Sequence, residues 1–163
     1  DFLLAKPVGR NRILTDKLLA ALTGLAITHV VVWAATFGGI VAFSGSRAWE
    51  VEPLILLLAG TAIFQLFFLT VGMLISLLVK RVRSVIPFSM ALAFGMYVLN
   101  AFAGMLGDVK LELVTPFKHF DPNYILNNGA YDLPLVLISV VAILISIVSS
   151  YLLYARKDMR SAV

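Results

Sequence analysis

Four apolar stretches dominate this chain, and none of them contains Asp, Glu, Lys or Arg: Leu18–Phe43, Leu54–Val79, Val85–Leu106 and Leu133–Tyr154. A helix crosses a hydrocarbon core with about 20 residues, and each stretch exceeds that. In lipid every backbone polar group must be satisfied internally, which leaves helices and closed barrels. The runs do not alternate apolar and polar residues as barrel strands do. The expected fold is an all-α integral membrane protein, a bundle of four transmembrane helices forming one domain over residues 1–163. The first two stretches count 26 residues apiece, which predicts a tilt, or a break near Gly38-Gly39.

Composition points the same way. Hydrophobic residues make up 61% of the chain and charged residues 13%, with a mean hydropathy of +0.98. A soluble domain lies nearer about half apolar and about a quarter charged. A signal peptide does not fit, because the first strongly apolar run begins at Leu18 and is too long. The absence of cysteine excludes disulfides, thiolate metal sites and cysteine nucleophiles.

The net charge of +4 is a matter of topology and not of nucleic acid. Ten of the thirteen basic residues fall on one side of the four spans: Lys6, Arg10, Arg12, Lys17, Lys80, Arg81, Arg83, Arg156, Lys157 and Arg160. The other side holds Arg47, Lys110 and Lys118. The positive-inside rule then places both ends of the chain and the Lys80–Ser84 turn in the cytoplasm. The outer side has a short loop, Ser44–Pro53, and a long one, Gly107–Asp132. In the long loop Asp121-Pro122 reads as a helix start and Asn127-Asn128-Gly129 as a stop. With Phe117 and Phe120 upstream, short helices lying at or dipping into the interface are expected.

All nine acidic residues lie outside the spans. That argues against an ion-coupled carrier, which relies on intramembrane carboxylates. The polar residues within the spans are His29, Gln65, Asn100 and scattered Ser and Thr. Each either lines a substrate path or bonds a neighbouring helix, the commoner role. Ala20, Gly24 and Thr28, and likewise Ala91 and Gly95, form small-residue stripes suited to close helix approach. His119 and Asp121 stand two apart, too few ligands for a metal site. The G-x-S-x-G and H-E-x-x-H patterns are absent. So is G-x-x-x-x-G-K-[ST], so any ATPase is a separate polypeptide.

The opening "DFLLAKPVGRNRILTDKL" puts the apolar cluster Phe2, Leu3 and Leu4 on the cytoplasmic side. Pro7 ends any helix they belong to, and Thr15 or Asp16 is expected to cap the first span. Such a cluster followed by basic residues suits anionic lipid heads or a groove on a cytoplasmic protein. The same stretch resembles the cytoplasmic segment before the third helix of ABC-2 type permeases, the membrane subunits of ATP-driven exporters. Leu3, Leu4, Pro7, Val8, Arg10, Ile13 and Lys17 match, with Gly9 where serine is usual. "TPFKHFDPNYIL" (Thr115–Leu126) resembles the segment before their last helix, and "YLLYARKDM" (Tyr151–Met159) their usual finish.

The resemblance implies a permease subunit in the prokaryotic cytoplasmic membrane, exporting a substrate on ATP hydrolysed elsewhere. Its implied partners are an ABC ATP-binding subunit, a second permease subunit (identical or not) and membrane lipids. Cofactors would be none in this chain, with ATP and Mg on the partner subunit. The ATPase-coupling interface would comprise Phe2, Leu3, Leu4, Lys6, Pro7 and Arg10. Family members have six helices, so the chain, which starts at Asp1, would supply the last four. The rival expectation is a non-transporting membrane protein, a sensor or assembly partner, or a membrane-embedded enzyme.

The charge asymmetry makes a direct prediction. In intact cells, single cysteines replacing Ser46 and Asn128 should react with an impermeant thiol reagent, while one replacing Ser84 stays silent. The reverse pattern contradicts the topology.

Overall fold

The computed structural model describes residues 10–45, 49–79, 85–107 and 109–156. It contains α1 (Arg10–Phe43), α2 (Val51–Leu78), α3 (Val85–Leu106), α4 (Val109–Glu112), α5 (Pro116–His119), α6 (Pro122–Asn128) and α7 (Leu133–Arg156). The described residues form no strand. Four helices, α1, α2, α3 and α7, are long and apolar enough to cross a membrane. The chain is an all-α, multi-pass membrane protein.

Proline does much of the punctuation. Five of the six prolines sit in the first turn of a helix: Pro53, Pro87, Pro116, Pro122 and Pro134. The first four N–H groups of a helix have no intrahelical acceptor, so proline's missing donor costs nothing there. Helix α6 starts and stops where the residues indicate. The Asp121 carboxylate accepts from the Asn123 N–H at 2.9 Å, and Gly129 adopts φ +60° at the far end. In that left-handed conformation a side chain would be strained.

Helix α1 departs from expectation twice. It begins at Arg10 and not at Thr15 or Asp16. Thr15 lies inside the helix, its hydroxyl donating to the Asn11 carbonyl one turn back at 2.8 Å. The same oxygen lies 2.8 Å from the Tyr151 hydroxyl of α7. With its hydroxyl engaged in both directions, Thr15 is a helix-interior tether and not a cap. The Gly38-Gly39 pair does not break the helix, which runs unbroken for 34 residues. That is about 51 Å against a core of about 30 Å, so its first turns, carrying Arg12 and Lys17, extend past the apolar layer.

The closest pairing is between α2 and α7. On α7 the buried residues are Val136, Ser139, Ile143, Ser146 and Ser150, spaced alternately three and four apart along one face. Three serines in that stripe let the neighbouring backbone approach. Ser150 finds its partner locally, donating to the Ser146 carbonyl at 2.7 Å, while the Ser139 hydroxyl meets the His119 ring at 2.6 Å. On α2, Thr70 is likewise buried and bonds the carbonyls of Leu66 and Phe67. The stripes at Ala20, Gly24 and Thr28, and at Ala91 and Gly95, are exposed instead. Much of the apolar surface of α1, α3 and α7 is exposed too, including Val30, Phe94 and Leu144. Exposed apolar surface of this extent suits a helix bundle set in lipid.

The Thr15–Tyr151 contact sets the start of α1 beside the end of α7. Helices α2 and α3 run between, so one end of the bundle gathers the starts of α1 and α3 and the finishes of α2 and α7. We call it the basic end. Helices α4, α5 and α6 lie at the opposite, far end.

Candidate functional site

Helix α5 is wedged between α2, α3 and α7. Phe117 packs edge-on against Phe64 of α2, with ring centroids 4.9 Å apart, and against Tyr97 of α3 at 5.8 Å. Phe64 also meets Phe68 edge-on at 5.0 Å, and Phe68 meets Phe117 at 6.1 Å. Phe120 and Tyr131 complete the cluster above Gly60. A methyl group on Gly60 would lie 3.3 Å from the Tyr131 ring and 3.4 Å from that of Phe120. Glycine is what allows those rings to settle on α2. Tyr131 also donates its hydroxyl to the Leu56 carbonyl. Offset and edge-on aromatic pairs contribute about 0.5–1.5 kcal/mol each beyond burial, so the cluster is a firm plug.

The wedge lies deep. Phe64 is about 20 Å along α2 from its first residue, and Tyr97 about 14 Å from the end of α3. Irregular backbone at that depth must be buried in protein, and Thr115, Pro116, His119 and Phe120 are all buried. Thr115 donates to the Met96 carbonyl of α3 at 3.4 Å. His119 is 3% exposed and bonds in two directions. Its Nε2 lies 3.2 Å from the Leu113 carbonyl, which can only accept, so Nε2 carries the proton. In the neutral ring Nδ1 then accepts from the Ser139 hydroxyl of α7, at 2.6 Å. Burial holds His119 below its ordinary value of 6.5, while the carbonyls of Leu113 and Glu112 and the Asp132 carboxylate pull the other way.

At the basic end the helices separate. Helix α3 packs chiefly on α4 and α5, toward the far end, so its first turns stand away from α2. The space between them, walled by the start of α1, is a cavity of about 840 Å³. Leu69, Gly72, Met73 and Leu77 line it from α2, Phe88, Ser89 and Leu92 from α3, and Leu14, Lys17 and Leu18 from α1. Tyr154 of α7 joins them. Phe68 belongs both to this lining and to the aromatic plug. The cavity therefore stops where the plug begins. Its volume suits a ligand-sized occupant, for which pockets of about 300–1,000 Å³ are typical.

The residues singled out from sequence occupy other places. His29, Gln65 and Asn100 are half-buried, and none lines the cavity. Both ring nitrogens of His29 are shielded without a hydrogen-bond partner among the described residues, as is the indole nitrogen of Trp33 one turn on. Of the coupling residues, Phe2, Leu3, Leu4, Lys6 and Pro7 lie outside the described residues, and Arg10 opens α1. Sequence reasoning missed Lys17, Phe68 and Gly72 as cavity residues and weighed His119 only as a metal ligand. A signal for His119 existed: a polar ring flanked by Phe117 and Phe120 in "TPFKHF" needs a partner if that run enters the membrane.

Residues 1–159 match the family described as ABC-2 family transporter protein. Comparison with characterised proteins and with solved structures gives no match.

The depressed His119 predicts how the wedge responds to acid. The folded state disfavours the charged ring, so its contribution is complete above 6.5 and is lost as pH falls through the lowered folded value. Hydrogen-exchange protection of residues 115–120 should be complete above 6.5 and fall as the pH is lowered stepwise below it. Protection that stays flat over that descent contradicts the His119–Ser139 anchor.

Proposed function

Because the chain belongs to the ABC-2 transporter family, we propose that it is a permease subunit, moving its substrate with ATP hydrolysed by a separate ABC ATP-binding subunit. The family match over residues 1–159 carries the reading. The cavity at the basic end supports it, since a transport path closed at one end and accessible at the other is half of an alternating-access cycle. On this reading the basic end faces the cytoplasm of a prokaryotic cell. The cavity of one chain meets that of a second permease subunit to complete the path.

ATP acts on this element by favouring one of two arrangements. The input is the segment Phe2–Arg10, where Phe2, Leu3 and Leu4 dock in a groove of the ATPase and Lys6, Pro7 and Arg10 complete the coupling interface. Helix α1 is a continuous rod from Arg10 to Phe43. A displacement at its start is therefore delivered to the cavity wall at Leu14, Lys17 and Leu18, and through Thr15 to Tyr151 of α7. The output is separation of Phe64, Phe68 and Phe117, which opens the far end. Polar groups such as His29, Gln65 and Asn100 serve helix contacts, with the second subunit's helices among the candidates. No step of this cycle requires a cofactor in the chain itself.

The test is assembly. Burial of a Leu or Phe side chain contributes about 1.5–3 kcal/mol. Replacing Leu3 and Leu4 together by Asp should sharply lower co-purification of the full-length permease with its ATPase. It should also uncouple ATP hydrolysis from substrate, with membrane insertion unchanged. Wild-type complex yield and wild-type coupling would overturn the coupling assignment.

A further inference from the structure

The lining of the cavity is chemically divided. Its depth is hydrocarbon-like, with Leu69, Met73, Leu92 and Phe68. Gly72 opens one side, since a Cβ there would meet nothing within 4 Å. The polar groups lie toward the basic end: Lys17 on α1, Ser76 near the finish of α2, Ser89 near the start of α3 and the Tyr154 hydroxyl on the last turns of α7. Lys17 is exposed and has no hydrogen bond or ion pair to a described residue. An ammonium at the mouth of an apolar slot, at the level where α1 leaves the hydrocarbon, is complementary to one kind of molecule. That molecule carries an anionic head and a hydrocarbon tail, and it reaches the slot from the adjoining leaflet.

We propose that the cavity binds an anionic lipid from the leaflet at the basic end. Its acyl chain lies between α2 and α3 along Gly72 and Met73, and its headgroup rests on Lys17. This rests on the permease reading and gives that path a substrate class, the anionic amphiphiles. The apolar depth supplies affinity without selecting among lipids, because every acyl chain presents the same surface. Selection falls to the charge at the rim. Anionic heads gain a charge-assisted contact to Lys17, whereas a zwitterionic choline head brings its own cation to the same place.

The experiment uses the full-length permease with its ATPase, in nanodiscs and without nucleotide. One set carries photoactivatable phosphatidic acid with the reactive group near the acyl terminus, the other the equivalent phosphatidylcholine. The proposal expects phosphatidic acid to label α2 and α3 around Gly72 and Leu92, with phosphatidylcholine much weaker. Lys17→Gln should lower phosphatidic acid labelling about tenfold, the scale of one charge-assisted contact, and Lys17→Arg should restore most of it. Gly72→Phe should block labelling by filling the slot, and the milder Gly72→Leu should reduce it if the larger ring impairs folding. Equal labelling by both lipids, or labelling indifferent to Lys17→Gln, overturns the proposal. So does a Gly72→Cys variant carrying a thiol-attached photocrosslinker that links to another helix of the permease, because protein then fills the slot. Either failure beside intact ATPase coupling leaves the permease reading standing. A labelled cavity in a protein that binds no ATPase overturns the permease reading.

Discussion

The buried hydrogen-bond pair of His119 is what the far half of this structure depends on. Between α3 and α7 the chain breaks into three short helices, and the middle one lies at the depth of the apolar layer. Non-helical backbone there has no water to satisfy it. His119 resolves the problem by bridging the Leu113 carbonyl and the Ser139 hydroxyl, which ties the wedge to α7. Thr115 makes the corresponding tie to α3. With α5 held there, Phe117 joins Phe64 and Phe68, and the far end closes.

The cavity follows from the same wedge. Helix α7 packs along α2 through a stripe of serines, whereas α3 is held by α4 and α5. A helix fastened toward one end diverges from its neighbour at the other, and the divergence appears as the space around Gly72. Closure at one end and opening at the other thus share a cause. In a member of the ABC-2 transporter family, such linkage is what alternating access needs.

The parts legible in the sequence are those governed by local chemistry. Uncharged runs mark the four long helices, and Asp121, Pro122 and Gly129 mark the ends of α6. What required the structure is long-range choice. Small residues at Ala20, Gly24 and Thr28 permit close packing, but nothing in their spacing says which helix comes near, and in the fold they are exposed. The buried small residues are instead the serines of α7, the helix that pairs with α2. Thr15 is a good cap in isolation, but in the fold it lies inside α1 and its distant partner, Tyr151, is 136 residues away. Lys17 reads locally as one more topogenic charge, and only the fold shows that it lines the same cavity as Leu69 and Gly72.

The central claim is that the cavity is accessible from the basic end and sealed at the far end by the aromatic plug. A single cysteine replacing Met73 in the otherwise cysteine-free chain tests it most directly, by impermeant thiol labelling applied from either side of sealed vesicles without nucleotide. The account predicts labelling from the side of Lys17 alone, with labelling from the far side appearing once Phe117 is replaced by Ala. Labelling of the unaltered plug from the far side, or from neither side, would contradict it.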